Sequence, residues 1–499
     1  MREGEQQPSL LPRRSAVRSG LATGVSIVAV SGSAVVAGAY LAQKFGRDAE
    51  TDGFLAAYGV YLVLSLAAQA FRLVLVPDLT RAAAEERLTA EFFSYVAAFL
   101  VMAAPACVLT LVLADTLGEV LTGNLPEESA KAAADALVWV VPAAFLQLLA
   151  AVAASALAAA HSYTVAAFGY AVGALTTLAI FIPLADSRGL VSLAWGVFSN
   201  GAVAFTIPLL ALLRYGHLRG RRRGGIAIAP RVWRLVRAAA VPLALQGLYV
   251  IALRGASGLG EGNQTSLTYA YLAAATLVAA TASSLSLISS EPLTRRGIDS
   301  DSAAAHVVHA SWVSLSLIGG AAGVFALVGG DLVHLALGSA FAGDVGEEVG
   351  NLVIFLAPWM VAQVAFSVTF PILFVLERPQ ILLPLAVGAT IVHIFVTVGL
   401  RELWGLEGLA IALAVTTFGV IVVLMVGVSV RMLRLAAAGL ARSALAVTAI
   451  VLVSFGLPAL VVPTAAAAVI GVVLYVGALA LLRPRGLVES WHYVRALHS

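Results

Sequence analysis

Long apolar stretches separated by short polar segments recur along the whole chain. Each is about 20 residues or longer, the length that a helix needs to cross the hydrocarbon core of a bilayer. Read as helices, they predict spans near 17–44, 53–79, 92–114, 132–160, 163–184, 190–214, 235–258, 264–290, 305–328, 349–376, 380–400, 407–431, 437–460 and 462–482. The pattern therefore predicts an all-α polytopic membrane protein with about fourteen transmembrane helices.

Composition supports this class. Hydrophobic residues make up 61% of the 499 residues and charged residues 11%, and the mean hydropathy is +0.96. A soluble chain cannot bury that much apolar surface, whereas a bilayer accepts it in helices. The single cysteine, Cys107, excludes an internal disulfide and a cysteine-built metal site.

The basic residues predict the orientation. With the N-terminus in the cytoplasm, only six of the 30 Lys and Arg fall on the outer side: Lys44, Arg47, Lys131, Arg188, Arg254 and Arg401. Such a bias is the positive-inside pattern, and it places both termini on the cytoplasmic side of the cytoplasmic membrane. The cluster Arg219–Arg223 is interpreted as a topology anchor, with an anionic-lipid or partner site as the alternative. No nucleic-acid partner is implied.

The chain contains a repeat. The fifth and sixth predicted spans align with the eleventh and twelfth at an offset of 216 residues, which pairs Gly189-Leu190 with Gly405-Leu406. Thr51-Asp52 aligns with Thr265-Ser266 at an offset of 214. Six helices per unit is an even number, so the two copies are parallel. Transporters of this design bind substrate between the halves and expose it to each side in turn.

The repeat predicts the domain organisation. It comprises a cytoplasmic tail (1–16), an N-terminal six-helix lobe (17–214), a basic cytoplasmic linker (215–234), a C-terminal six-helix lobe (235–431), two additional transmembrane helices (432–482) and a second cytoplasmic tail (483–499). Because both lobes lie in one chain, a monomer is expected to complete a translocation path.

Three passages carry a family resemblance: 46–77, which contains Thr51-Asp52 and ends in Val76-Pro77, 330–344, and 374–412. In these passages the chain resembles the MOP (multidrug/oligosaccharidyl-lipid/polysaccharide) exporter superfamily, and within it the MurJ/MviN lipid II flippases. The resemblance implies a fourteen-helix fold and the transport of a lipid-linked saccharide or peptidoglycan-type precursor.

The chain departs from the family at the cavity. Family members carry arginines thought to grip the diphosphate of the substrate, since a guanidinium pairs bidentately with phosphate. The corresponding positions here fall in 59–64, in 32–35 and at Tyr271-Leu272, and none of them is an arginine. Of the family's charged cavity positions, only Asp52 is matched. Lipid II itself is therefore not assigned as the substrate.

Ionisable and polar side chains inside spans are candidates for function because they are costly in a membrane. The candidate substrate-binding residues are Arg72, Arg254, Gln69, Gln246, Tyr269 and Tyr271. For the two arginines the alternative is a side chain that reaches the nearest membrane interface. For the neutral residues it is packing or hydrogen bonding between helices.

Two further residues are candidates for control of transport. Asp52, at the outer start of the second span, is expected to cap a helix or to form a gating salt bridge with Lys44, Arg47 or Arg254. His393, in the eleventh span, is a candidate for ion coupling because histidine titrates near physiological pH. The alternative for His393 is a hydrogen-bonded histidine within the bundle.

The leading hypothesis is an alternating-access flippase for a lipid-linked saccharide. The alternatives are a MATE-like exporter of small molecules or natural products, and a non-transporting membrane scaffold for cell-wall or polysaccharide assembly. The sequence contains no Gly-rich phosphate loop, His-Glu-x-x-His helix or Gly-x-Ser-x-Gly elbow, so no enzyme activity, metal or cofactor is predicted. Coupling to an ion gradient or to the membrane potential is expected, together with contacts to cell-envelope biosynthesis proteins.

Overall fold

The computed structural model describes residues 13–160, 162–218, 227–296, 300–375 and 379–482, and these ranges are helical apart from short turns. The first half contains α1 (Arg13–Phe45), α2 (Ala49–Ala84), α3 (Leu88–Val112), α4 (Ala114–Thr122), α5 (Glu127–Ala159), α6 (Tyr163–Arg188) and α7 (Val191–Arg214). The second half contains α8 (Ile228–Ser257), α9 (Asn263–Arg296), α10 (Ser300–Leu337), α11 (Asp344–Phe355), α12 (Ala357–Val375), α13 (Leu382–Val428), α14 (Val430–Val451), α15 (Leu457–Ala459) and α16 (Thr464–Leu482).

The predicted all-α class is confirmed, and the predicted spans fall on these helices. Among the described residues, ten helices are long and apolar enough to cross a membrane, and the count of fourteen stays a prediction. The pattern missed α4, a nine-residue helix in a loop predicted to lie on the outer side. It also did not show the turn at Leu356, which joins α11 to α12 within the span predicted at 349–376. The cluster Arg219–Arg223 and the predicted tail 483–499 lie outside the described residues.

The helix α13 folds back on itself at Trp404 and Gly405, which have non-helical backbone angles. His393 Nδ1, before the turn, lies 2.9 Å from Thr416 Oγ1, after it. The segment Leu382–Val428 is therefore two helical arms joined at Trp404 and Gly405, which correspond to the spans predicted at 380–400 and 407–431.

The turn at Gly405 has a counterpart in the first half of the chain. Gly405 has φ +56°, and Gly189, its partner in the repeat, has φ +61° between α6 and α7. This left-handed conformation favours glycine because it has no Cβ. The same backbone geometry at aligned positions supports the internal repeat.

The chain forms two compact units. The first comprises Met1–Tyr40, Leu64–Leu113 and Asp135–Val236, of which the structure describes residues from Arg13 onward. Its interior includes an edge-to-face contact between Phe71 and Phe99, and nearer its surface Trp139 and Trp195 meet in the same geometry. Aromatic pairs in this geometry stabilise the fold by more than their buried apolar area alone would.

The second unit comprises Leu41–Val63, Ala114–Ala134 and Arg237–Ser499, and the structure describes it as far as residue 482. Its C-terminal helices pack closely on α10. Cβ atoms added at Gly320 and Gly319 would lie 3.1 and 3.2 Å from the ring and hydroxyl of Tyr475, and that hydroxyl donates to the Ser316 carbonyl at 2.7 Å. Small residues allow this approach between transmembrane helices.

Candidate functional site

Segments from the first half of the sequence are built into the second unit. The starts of α2 and α5 pack there against the start of α9, all on the predicted outer side. The residues that join them are Arg47, Asp52, Ser129, Gly262 and Thr265, here called the outer cluster.

Asp52 is the centre of the outer cluster and is fully buried. Its carboxylate accepts hydrogen bonds from the Gly262 N–H at 2.5 Å, the Thr265 N–H at 2.8 Å and the Thr265 hydroxyl at 2.6 Å. These donors lie at the N-terminal end of α9, whose first N–H groups have no partners within their own helix. Asp52, on α2, therefore caps α9.

The repeat explains why α9 needs this cap. At the start of α2, Asp48 accepts the Thr51 N–H at 2.8 Å, the usual N-cap bond to the third helical residue. The offset of 214 places Gly262 at the position of Asp48 and Thr265 at that of Thr51. Gly262 has no side chain to cap its own helix, so Asp52 supplies the carboxylate.

Arg47 prevents a larger residue at position 262. Its Nε donates to the Gly262 carbonyl at 2.7 Å, and a Cβ added to Gly262 would lie 2.5 Å from the same nitrogen. Arg47 also pairs with Glu348 of α11 at 3.3 Å. On the other side, the Ser129 hydroxyl donates to the Ala49 carbonyl at 2.6 Å, which joins α5 to α2.

Asp52 was expected to cap a helix, and in the structure its carboxylate accepts hydrogen bonds from the start of α9 rather than from α2. Arg47, one of the three proposed salt-bridge partners, contacts Gly262, the residue whose N–H Asp52 accepts. Gating by Asp52 stays a prediction.

Arg254, a predicted substrate contact, lies beside the end of α4. Its Nη1 donates to Ser257 Oγ at 2.9 Å, and its guanidinium fills the space next to Gly123, which has φ +66°. The carbonyl end of a helix favours a cation. This position makes Arg254 a support for the outer loops.

Two predicted substrate-binding residues meet in an aromatic cluster. The Tyr271 hydroxyl donates to Gln246 Oε1 at 2.8 Å, and the Tyr271 ring stacks on Tyr249 with centroids 3.8 Å apart. The Trp359 ring is tilted against the Tyr271 ring, with centroids 4.8 Å apart. These four residues, here called the aromatic cluster, pack against one another, and the rings of Tyr249, Tyr271 and Trp359 are buried.

Gly59, in one of the segments that depart from the family pattern, packs against the helix that carries Tyr249 and Gln246. A Cβ added at Gly59 would lie 2.8 Å from Leu253 Cδ1 and 3.5 Å from Tyr249 Cε1. Gly59 opens the segment 59–64, where the resemblance predicts a polar, arginine-bearing stretch. Tyr249 was missed in the sequence, although it lies one helical turn after Gln246 and so shares a helix face with it.

The other candidates are dispersed. The Tyr269 ring meets Phe341 edge to face at 5.3 Å, away from the Tyr271 stack. In the first unit, the Arg72 guanidinium lies 5.4 Å from the centre of the Tyr170 ring, a cation–π geometry. Gln69 belongs to α2, but its side chain lies outside the described part of the structure.

An ionic group joins three helices of the first unit on the predicted inner side. Arg231 Nε lies 2.5 Å from a Glu91 oxygen, and Asp78 pairs with both Arg234 and Tyr95. Two of these residues open α8, so the start of α8 is held to α2 and α3. These five residues are here called the inner network.

His393 is fully buried and hydrogen-bonded through both ring nitrogens, to Thr416 Oγ1 at 2.9 Å and to the Leu248 carbonyl at 3.0 Å. Within the described ranges, no group of three or more His, Cys, Asp or Glu side chains is arranged to hold a metal ion.

Comparison with known proteins agrees with this architecture. The family model of the lipid II flippase MurJ matches residues 41–289. A structure of lipid II flippase MurJ in an inward closed conformation aligns with TM-score 0.73 and 15% identity, covering 94% of this chain and 99% of that one. No curated protein matches the sequence.

Exporters of the wider superfamily also align. An inward-facing multidrug resistance MATE family transporter has TM-score 0.56 and 12% identity, over 84% of this chain and 94% of that one. A MOP superfamily transporter from Pyrococcus furiosus has TM-score 0.52 and 14% identity, over 88% and 96%. The resemblance predicted from the sequence is confirmed.

Proposed function

We propose that this chain, a MurJ-like member of the MOP exporter superfamily, is an alternating-access flippase. It moves a lipid-linked saccharide or peptidoglycan-type precursor from the inner to the outer leaflet of the cytoplasmic membrane. The observation that carries this proposal is the match to MurJ, both as a family over residues 41–289 and as a fold over 94% of the chain.

The outer cluster supplies a mechanism for closure on one side. Asp52, from the first half of the sequence, accepts hydrogen bonds from the N-terminal end of α9, from the second half. Alternating access requires that such contacts break when the outer side opens. When these contacts break, the α9 N–H groups and the Asp52 carboxylate become exposed to water. Water molecules then replace the lost hydrogen-bond partners in the open state.

Substrate recognition is proposed to rely on the aromatic cluster more than on cavity arginines. The family's acidic–basic pair on α9 is Tyr271-Leu272 here, and Tyr271 stacks on Tyr249. Stacked rings suit a sugar ring or an isoprenoid chain, whereas a guanidinium suits a diphosphate. A saccharide lipid with less dependence on its diphosphate fits this chemistry.

Export of an amphipathic small molecule is the second candidate. The alignment with a multidrug MATE transporter and the apolar replacement of the family's arginine positions favour it. Both candidates use the same two-lobed architecture and differ in the substrate.

The test is reconstitution in proteoliposomes with a fluorescent polyprenyl-diphosphate-linked saccharide in the inner leaflet. A membrane-impermeant quencher then reports its arrival in the outer leaflet. We expect protein-dependent quenching that greatly exceeds the rate in empty vesicles. A rate equal to that of empty vesicles, together with efflux of a fluorescent amphipathic cation, would replace the flippase with the second candidate.

A reversible lock provides the matched control. The Gln43 amide lies 3.0 Å from the Ala336 carbonyl, and both residues are on the predicted outer side. In a Cys107→Ala background, Gln43→Cys with Ala336→Cys allows a reducible bifunctional cross-linker to hold them together. Transport should stop after cross-linking and return after reduction. Undiminished transport in the cross-linked protein would argue against opening at this side.

A further inference from the structure

We propose that His393 is a proton-binding site that couples protonation to the position of α8. The proposal rests on the proposed transport function and names its coupling ion. It starts from the two hydrogen bonds of a fully buried imidazole, one to each neighbouring helical segment.

The partners define the protonation states of the ring. The Leu248 carbonyl can only accept, so Nε2 carries hydrogen and donates to it at 3.0 Å. In the neutral ring, Nδ1 then accepts from the Thr416 hydroxyl at 2.9 Å. The Thr416 hydroxyl and the Leu248 carbonyl therefore satisfy both nitrogens of the neutral ring.

A second proton is accommodated without breaking any bond. It adds to Nδ1, which then donates to Thr416 Oγ1. The Thr416 hydroxyl changes from donor to acceptor and can turn its hydrogen toward the Ala412 carbonyl, four residues earlier in the same helix. Every group has a partner in both states, as a reversible proton site requires.

An unpartnered hydroxyl lies one helical turn from His393. Thr397 is one turn after His393 on the same face of α13 and is 3% exposed. Among the described residues, its Oγ1 has no hydrogen-bond partner. A buried hydroxyl without a partner usually indicates an additional guest such as a water molecule, which would help to carry a proton to the ring.

The repeat shows that this site belongs to the second half alone. At the offset of 216, His393 aligns with Thr177 and Thr416 with Asn200. Thr177 donates to Gly196 of its own helix pair at 3.3 Å. His393 instead reaches outside its helix pair to α8. The substitution thus adds a titratable group and a link to α8 at one position.

Nearby charges do not occupy the site. Helix α12, which packs on α13, has no charged residue from 357 to 375. On α8, Arg254 engages Ser257, and at the turn of α13 Arg401 pairs with Glu402. Other charged or titratable residues on elements that touch α8, α12 or α13 include Asp52, Arg72, Asp78, Glu91, Arg231, Arg234, Arg237, Asp301, His306, His309, Asp331, His334, Asp344, Glu347, Glu348, Glu407, Arg431, Arg434 and Arg442.

The link to α8 gives protonation a mechanical consequence. Helix α8 begins in the first unit, where the inner network holds Arg231 and Arg234, and continues in the second unit from Arg237. An imidazolium binds the Leu248 carbonyl more strongly than a neutral ring, because charge-assisted hydrogen bonds are stronger. Protonation should therefore hold α8 more firmly within the second unit.

Hydrogen exchange of α8 tests the proposal. The full-length protein in lipid nanodiscs is followed by mass spectrometry from about pH 3.5 to pH 8.5, with intrinsic exchange rates divided out, because burial disfavours the charged imidazole. We expect protection of peptides covering 241–257 to rise on acidification through one single-proton transition. His393→Gln keeps a donor for Leu248 and should abolish the transition. His334→Gln, the same change at an exposed histidine, should preserve it.

A second variant keeps the proposal testable even if His393→Gln does not fold. Thr416→Val is nearly isosteric and removes the partner of Nδ1, so the midpoint should move to lower pH by about one unit or more, as expected for loss of a hydrogen bond to a charged group. The proposal is overturned if α8 shows no pH-dependent protection in the native protein, or if Thr416→Val leaves the midpoint unchanged.

The transport assay separates this inference from the proposed function. The fluorescent polyprenyl-diphosphate saccharide is followed with and without a pH gradient. Transport that ignores the gradient and is unaffected by His393→Gln refutes the proton site and leaves the flippase intact. A pH transition in α8 without movement of the lipid refutes the flippase and leaves the proton site intact.

Discussion

Removal of the Asp52 carboxylate should open the outer side. In Asp52→Ala, the Gly262 N–H, the Thr265 N–H and the Thr265 hydroxyl lose their acceptor while they remain buried. A buried donor left without a partner costs about 1–3 kcal/mol. Water admitted to the vacated space recovers part of this cost, so we expect a net loss of about 2–3 kcal/mol from the closed state.

This loss has a measurable effect on populations. In the open state, the same donors face water in both the native protein and the variant, so the penalty falls on the closed state alone. A change of about 2–3 kcal/mol multiplies the open-to-closed ratio by roughly 30 to 150. A closed state populated at nearly 100% would then become a mixture that a distance measurement can resolve.

The assay is pulsed electron–electron resonance between spin labels at Glu128→Cys and Glu261→Cys in a Cys107→Ala background. Both label sites are exposed and lie near the outer cluster. The native pair should give one short distance, and Asp52→Ala should add a longer component. Asp48→Ala is the matched control because Asp48 caps its own helix through Thr51, so it should lower stability by about 1 kcal/mol without adding the longer component.

The reasoning fails if Asp52→Ala gives the native distance distribution while the variant remains folded and monodisperse. It also fails if Asp48→Ala and Asp52→Ala produce the same longer component, because a general weakening of helix caps would then explain both.

The remaining predictions concern the supports around the site. Asp78→Asn removes the anionic partner of Tyr95 and Arg234 and should lower the free energy of unfolding by about 2 kcal/mol, measured by thermal scanning in detergent; Glu85→Gln, at an exposed pair with Arg87, should have no effect. Gly123→Ala forces a Cβ onto the Arg254 guanidinium at φ +66° and should cost about 1–3 kcal/mol. Arg254→Ala should relieve part of that cost, and equal costs in both backgrounds would contradict the contact. Gly32→Ala, which meets open space, is the control. Tyr271→Phe loses only the bond to Gln246 and should reduce transport less than Tyr271→Ala, which loses the stack on Tyr249; equal effects would remove the aromatic cluster from the recognition of substrate.

The sequence alone determined the class of fold. Long apolar runs require helices in a bilayer, because every backbone N–H and C=O must be paired within its own segment. The repeat was also visible, since Gly189 and Gly405 stand at a fixed offset and both adopt the left-handed conformation. Helix formation and the glycine turns depend on short stretches of chain, so they can be predicted from the sequence.

Only the tertiary structure decided which side chains meet. A helix N-terminus near Asp52 could be predicted, but the acceptor for α9 comes from a residue more than 200 positions earlier, because Gly262 has no side chain. Of the predicted substrate-binding residues, Gln246 and Tyr271 contact each other in the structure. Arg254 lies apart from them, beside Gly123. Periodicity along one helix fixes which residues share a face, and packing between helices fixes what that face contacts. The link between His393 and Leu248 is therefore a property of the fold.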